Sequence, residues 1–460
     1  MKKWILLFLL LPNLAWGATY TVCASGCDQT TIQAAFNAYD LAPDDVVEVR
    51  AASPGDTATF RELVTWGSND GGGSGHPVTL QGRTGDTINI YGSTLGAGWD
   101  NAEGGSIWFM AGFTTNAVMV WRDNVNMTLA PSKVAMDVDG EWWMDDPNNR
   151  VYVYASDPTN NVYEIGQRTN CVYLTGGISN VTLKNLRARY SNSSGFRQED
   201  GSNVTYQNID ASYNWGIGWL VYSNDASYDT NMSITDSTFT FNGDNGALTG
   251  HYLNTITFDG CTFNNNGQNG ADTFNGGLYI ADDTKGTSYG IIVQNCTAAN
   301  NGKAADNVTV VCSANGGNGI WVDTTGSNNG ANPVIFRYNT SSNNYGVGIY
   351  LENTPDAMAY YNTSFGDTQG IQVSTSDAPY PATDCKVYNN SVYNATISFH
   401  IQGAQTDGTV VKNNIFHTAS SRLMYHESGA NSVINYNQYY DTSYTNKWML
   451  TSTGYSTLGA

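Results

Sequence analysis

The chain has 460 residues, only 13% of them charged, and a formal net charge of −20. Its polar surface must come from Asn, Ser, Thr and Gly, with Gly alone contributing 49 residues, a composition that favours extended structure with many turns over helical bundles. The acid excess argues against nucleic acid and anionic membrane as partners, because both repel negative charge.

Residues 1–17, MKKWILLFLLLPNLAWG, have the layout of a secretion signal. Lys2 and Lys3 open it, Trp4 to Leu11 form an apolar run, and Ala15-Trp16-Gly17 is a small-x-small cleavage site. The run is too short to anchor in a bilayer, and no cysteine follows it directly for lipid attachment. The expected location is secreted or periplasmic, without a membrane anchor. Cleavage would move the formal charge from −20 to −22. Export permits disulfides, and seven cysteines leave at least one unpaired. Cys23 and Cys27 are spaced for a small closed loop.

The segment CDQTTIQAAFNAY (27–39) places Ile32, Ala35, Phe36 and Tyr39 on one helical face. DDVVEVRAAS (44–53), FRELVTW (60–66) and PVTLQG (77–82) read as short strands. Residues from about 99 break this rhythm. In EWWMDDPNNRVYVYASDP (141–158), NNR reads as a hairpin turn.

From about residue 170 the sequence repeats itself. VTLKNL (181–186), VTYQNI (204–209), ITFDGC (256–261), IIVQNC (291–296), VIFRYN (334–339) and CKVYNN (385–390) each alternate apolar and polar residues and end on a small or amide residue. The base period is near 23 residues, with longer members that insert loops. A second strand follows in each unit, as in GLYIAD (277–282), GIWVDT (319–324), GIYLEN (348–353) and GIQVST (370–375). The glycine ahead of it is expected to serve a turn needing φ > 0. Units of two or three short strands at this period are coils of a parallel β-helix, rising about 4.8 Å per coil. Asn339, Asn362, Asn390, Asn414 and Asn437 share one end position and are expected to form a hydrogen-bonded ladder. Cys261 and Cys296 precede them there, placed either for a disulfide or as stacked free thiols.

This pattern resembles the right-handed parallel β-helix superfamily typified by pectate lyases. The resemblance implies an all-β, single-stranded right-handed parallel β-helix with an N-terminal capping helix and a small β insertion. Residues 1–17 are then the signal, 18–98 the cap and first coils, 99–169 the insertion, 170–445 the coils and 446–460 a C-terminal tail. No amphipathic cap follows Tyr440, and an incomplete C-terminus is one reading of that. The fold hosts lyases, hydrolases, epimerases, adhesins and tailspikes, so it specifies no activity.

Aligned second strands point residues alternately in and out. The first outward column holds Arg197, Leu248, Tyr279, Trp321, Tyr350, Gln372 and His400. The next holds Glu199, Gly250, Ala281, Asp323, Glu352, Ser374 and Gln402, with Asp282 and Asp283 at its edge. Tyr279, Trp321 and Tyr350 are expected to form an exposed platform for a sugar chain, with Arg197 and His400 as further contacts, because pyranose C–H faces pack on aromatic rings. Long insertions at 262–290 and 297–333 bracket these coils.

Asp323 and Glu352, on neighbouring coils and roughly 5 Å apart, are the candidate catalytic pair of a glycosidase. An alternative is calcium held by Asp282, Asp283, Asp323 and Glu352, which suits a lyase on an acidic polysaccharide. Its base or neutralising cation would come from Lys285, Arg197, Arg337 or His400. A third reading is a non-catalytic glycan-binding or surface-structural protein. The expectation is a secreted carbohydrate-active protein that binds and cleaves a polysaccharide in a groove along the helix. Calcium is the only cofactor in view, and the oligomeric state is left open. Lys184, Arg337 and Lys412 share an outward position without a repeated charge and read as a solvated face; His76, His426 and Glu427 read as surface residues.

Overall fold

The computed structural model describes residues 17–101, 104–113, 117–223, 229–270, 274–282, 288–304, 306–313, 316–326, 331–376, 380–427, 431–440 and 448–450. Residues 1–16 of the expected secretion signal, Asp283, Lys285 and most of the C-terminal tail lie outside them.

Each full coil contributes three strands. In one coil these are Leu253–Asp259, Thr262–Asn264 and Gly276–Ala281, and in the next Tyr289–Gln294, Thr297–Ala299 and Asn318–Asp323. Every one pairs in parallel with its counterpart a coil further on. Three sheets therefore run along the axis, called first, second and third in chain order within a coil. The third-sheet strands are the glycine-led ones. The second-sheet strands escaped the sequence reading because three residues are too few to show alternation. The interior is a continuous apolar column that includes Leu278, Ile280, Ile320, Val322, Ile349 and Leu351.

The N-terminal end is closed by the helix Ile32–Ala38, which buries Ile32, Ala35 and Phe36. Phe36 packs on Trp66 at 4.8 Å between ring centroids. The Thr31 hydroxyl accepts the Ala34 N–H at 3.1 Å, and the Glu62 carboxylate accepts the N–H groups of Ile32 and Gln33 at 2.9 Å each. These three bonds satisfy donors that a helix leaves free at its start. Tyr39 is the residue that ends the helix, and it stacks on Tyr20 instead, at 3.9 Å. Cys23 and Cys27 form a disulfide just ahead of the helix.

Between Ser93 and Gly166 the chain leaves the coils and builds two four-stranded sheets. In one, Glu141–Asp145 and Arg150–Tyr154 form an antiparallel hairpin whose turn has Asn149 in the left-handed region. Among the described residues no helix is long and apolar enough to cross a membrane.

Two side-chain ladders tie the coils together. At the turn between first and second sheets, the Asn339 Oδ1 accepts the Cys296 N–H at 3.0 Å, Asn362 repeats this toward Asn339, and Asn390, Asn414 and Asn437 continue it. Cys261 and Cys296 occupy the preceding positions as buried free thiols. A second ladder, missed in the sequence, runs at the turn between second and third sheets through Asn214, Asn242, Asn266, Asn301 and Asn344 and ends on Asp367. In both ladders a residue with positive φ directly precedes the inward amide, as in Tyr338-Asn339 and Asn300-Asn301. That dyad is the signal that could have revealed the second ladder.

The recurring glycines Gly246, Gly277 and Gly319 do not have positive φ, which corrects the sequence expectation, although Gly317, just ahead of Asn318–Asp323, does. A Cβ at Gly246, Gly277 or Gly319 would lie 2.4–2.6 Å from the carbonyl oxygen of the equivalent residue in the next coil, and within 2.7–2.9 Å of a ladder amide. These positions are glycine because the backbone and the second ladder leave no room for a side chain.

Candidate active site

Outward positions of the third sheet form two columns. The strand register sets Tyr279 beside Trp321 and Trp321 beside Tyr350, and it sets Asp323 beside Glu352. The aromatic column continues through Gln372 to His400 in one direction, and through Leu248 and Leu220 to Arg197 in the other. Leu220 belongs to Trp219–Tyr222, a strand the sequence reading passed over because WLVY is apolar throughout and shows no alternation.

Trp321 faces outward but is only 3% exposed, which corrects the expectation of a wet tryptophan. Tyr279 covers one side of it at 4.1 Å between centroids and 22° between planes, and Tyr350 the other at 5.5 Å and 13°. Phe274, from the loop ahead of Gly276–Ala281, lies parallel to Trp321 at 5.9 Å. Ring faces spent on one another are closed to a sugar. The polar edges of the stack point instead to the acid column. The Tyr279 hydroxyl donates to Asp323 Oδ2 at 3.2 Å, and the Trp321 indole N–H donates to Glu352 Oε2 at 3.0 Å. The Tyr350 hydroxyl pairs with Ser374 at 2.8 Å. Phe274 is half exposed and is the most exposed ring of this cluster, Tyr279 and Tyr350 being only partly exposed. It sits in a loop outside the repeat, so nothing in the sequence pattern marked it.

Asp323 is partly exposed and also accepts Asn353 Nδ2 at 2.8 Å. Asn353 is itself braced by Ser376. Glu352 is only 6% exposed. Burial pushes its carboxyl above the usual range and the neighbouring Asp323 charge adds to this, against hydrogen bonds from Ser376, Tyr350 and Trp321. The pair thus sets one carboxyl with a raised pKa beside a partly exposed partner.

The other candidates are not brought to this pair. Asp282 is fully buried; its carboxylate accepts the Ser288 N–H at 2.6 Å and its carbonyl accepts the Thr324 hydroxyl at 2.9 Å. Asp283, proposed beside it as a metal ligand, lies outside the described residues, as does Lys285. Among the described residues no group of three or more His, Cys, Asp or Glu could hold a metal ion. Arg197 lies four coils away, roughly 19 Å along the axis. Its guanidinium sits between the rings of Tyr173 and Tyr222, at 5.5 and 5.3 Å, and binds Glu199 at 2.5 Å. Tyr173 and Tyr222 also donate to Glu199.

His400 lies three coils to the other side, roughly 14 Å away. It contacts Gln369 at 2.9 Å and Glu427 at 3.2 Å and stacks on Tyr425 at 4.6 Å; burial lowers its pKa while Glu427 works against this. Arg337 belongs to the first sheet, where it binds Gln294 at 2.6 Å, so it faces away from the pair. His426 is not a surface residue: it is fully buried in register with Ile401.

The family described as "Right handed beta helix region" matches residues 147–284. No curated protein matches the chain. Among solved structures, a glycoside hydrolase shares 8% identity over 92% of this chain and 97% of its own, with a TM-score of 0.60. XylC in complex with xylose shares 12% identity over 89% of this chain and 69% of its own, with a TM-score of 0.52. A rhamnogalacturonan lyase shares 14% identity over 86% and 87%, with a TM-score of 0.50. At such identities the likeness concerns architecture. Three parallel sheets, stacked coils and these matches together make the fold a right-handed parallel β-helix.

Proposed function

We propose that the chain is a secreted carbohydrate-active enzyme that binds a polysaccharide along the third-sheet face and hydrolyses it. One observation carries this reading: Asp323 and Glu352 are in register on adjacent coils, and burial, with the Asp323 charge beside it, raises the Glu352 carboxyl above its usual range. Glu352 donates its proton to the leaving glycosidic oxygen. The Asp323 carboxylate, oriented by the Tyr279 hydroxyl and Asn353, attacks the anomeric carbon. Water then releases the sugar, with Glu352 taking the proton back. One coil rise of about 4.8 Å is nearer the carboxyl separation of retaining glycosidases than that of inverting ones. Phe274 supplies the apolar contact for a sugar ring that the closed stack of Tyr279, Trp321 and Tyr350 does not. Arg197 and His400 contact the chain further along the groove.

The test is incubation with a panel of polysaccharides while reducing ends and the absorbance of unsaturated products are followed together. The expected result is new reducing ends without absorbance. Both signals together would mean elimination and would overturn the hydrolytic assignment. A calcium centre is the weaker reading, because Asp282 is committed to Ser288 and Glu352 to the Trp321 indole. Exhaustive chelation should leave turnover and melting temperature unchanged, whereas a loss restored by calcium would place the ion at these acids.

A further inference from the structure

The C-terminal coils carry an outer face on the second sheet unlike the same face elsewhere. Strand register aligns Phe365, Tyr393, His417 and Tyr440 in one outward column. Tyr393 and His417 overlap at 5.0 Å, and His417 and Tyr440 at 4.5 Å. In earlier coils that column is Thr240, Asn264, Ala299 and Ser342. A second, interrupted ridge lies along the turn between first and second sheets: Tyr338 and Tyr361 on adjacent coils, then Asn389 and Asn413, then Tyr436, at the position that Asn295 fills in the coil before Tyr338. Tyr338 and Tyr361 are parallel within 2°, with centroids 5.4 Å apart. Between the ridges lies a floor of Thr340, Thr363, Ser391, the exposed Ile415 and Gln438.

The backbone marks the turn ridge as more than decoration. Tyr338, Tyr361 and Tyr436 all have φ between 55° and 57°, a region that suits asparagine and disfavours tyrosine. At the other turn Tyr190 and Tyr213 adopt the same conformation, but there Tyr190 is buried against Trp121 and Tyr91 and overlaps Tyr213. Packing offsets the strain at those two residues. Tyr338, Tyr361 and Tyr436 are instead 52%, 51% and 75% exposed. Strain held for an exposed ring is what a binding surface leaves in a free protein.

Resting on the carbohydrate-active reading above, we propose that this face is a second, non-catalytic binding strip for a neutral polysaccharide chain lying parallel to the helix axis. Its columns from Tyr338 to Tyr440 hold no Asp, Glu, Lys or Arg, in a chain whose formal net charge is −20. An anionic polymer would meet overall repulsion and no cation in the strip. A neutral one finds hydroxyl and amide groups on the floor for its hydroxyls and aromatic rims for its C–H faces. Each of these five coils carries an aromatic ring on at least one of the two ridges, a long, narrow, repeating surface that fits a linear polymer better than a globular partner. The strip lies on a different sheet from Asp323 and Glu352, so it would hold the protein on its substrate and raise the local concentration of chain at the groove.

The test uses the full chain in affinity electrophoresis against xylan, β-glucan and mannan, with pectate as the anionic control. The double variant Tyr361→Asn/Tyr393→Thr restores residue types that other coils carry. It should lose at least tenfold in retention by the neutral polysaccharide the native chain binds, with no fall in melting temperature and no change in turnover of a short soluble oligosaccharide. Asp323→Asn should lose turnover and keep this retention, whereas a native chain that is retained but cleaves none of the polymers would remove the catalytic reading and leave the strip standing. The proposal is overturned if the native chain is retained by none of the neutral polymers, or if the double variant is retained as the native chain is. It is also overturned if the variant loses only self-association, measured by sedimentation equilibrium, which would make the face a contact between copies.

Discussion

Glu199 and Glu352 occupy the same outward column of the same sheet, several coils apart, and both are partly or largely buried. Burial alone would raise both carboxyls. At Glu199 the hydrogen bonds from Tyr173, Tyr222 and Arg197, with the Arg197 charge, outweigh burial and hold the carboxyl below its usual range. At Glu352 the neighbour one coil back is Asp323, whose charge adds to burial. The scaffold contributes the same backbone position to both. The surroundings decide the difference: Arg197, two positions back on the same strand, acts with Tyr173 and Tyr222 at Glu199, whereas Asp323 stands one coil from Glu352.

The comparison breaks most sharply in turnover. Glu352→Gln should lower turnover of the cleaved polysaccharide at least about 100-fold while leaving the melting curve intact, the scale expected for loss of a general acid. Glu199→Gln should leave turnover within a few-fold but lower stability by roughly 1–3 kcal/mol, because the Arg197 guanidinium loses its charged partner. If the two variants behaved alike, the difference in neighbours would not matter. Because Glu352 must be protonated to act, turnover should fall on the alkaline side of a pH profile, with the limb above the ordinary carboxyl range. A limb near pH 4 would place the acid elsewhere.

Trp321→Ala tests how the Glu352 environment is held. The ring is buried between two tyrosines and donates to Glu352, so its loss should cost about 3 kcal/mol measured by denaturant unfolding. A near-zero cost would mean the stack adds nothing to the fold.

Asp367 sharpens the comparison from a third side, because it is a buried acid flanked by the neutral donors Asn344, Ser364 and Ser341. Burial outweighs their hydrogen bonds and pushes its carboxyl up to about 6. The folded state therefore favours the neutral form. The associated stability is full below the unfolded value near 4 and is lost as pH rises to about 6. Asp367→Asn completes the second ladder with an uncharged residue. It should raise stability by up to about 3 kcal/mol at pH 7 and change little at pH 4, read from paired melts at the two pH values.

The smallest effect belongs to the first ladder, away from the acids. Asn390→Leu should cost roughly 1–3 kcal/mol, since the Asn362 N–H and the Ala359 carbonyl lose their buried partner.

Much was legible without a structure. Alternation, a near-regular period and a recurring terminal asparagine were enough for the coils, the first ladder and the register that puts Asp323 beside Glu352, because parity along a strand and period between strands are local properties of the chain. The three-residue second sheet, the second ladder and the Trp219–Tyr222 strand were not legible, since short or uniformly apolar segments carry no alternation. Exposure was decided only by the tertiary structure. Trp321 points outward as its parity requires, yet it is buried, because residues dozens of positions away in sequence, Tyr279 and Phe274 on one side and Tyr350 on the other, close around it. Protonation was decided in the same way. A glutamate in the sequence does not declare how deeply it will be buried, nor that Tyr173 and Tyr222 will donate to Glu199 from flanking coils while Asp323 stands one coil from Glu352.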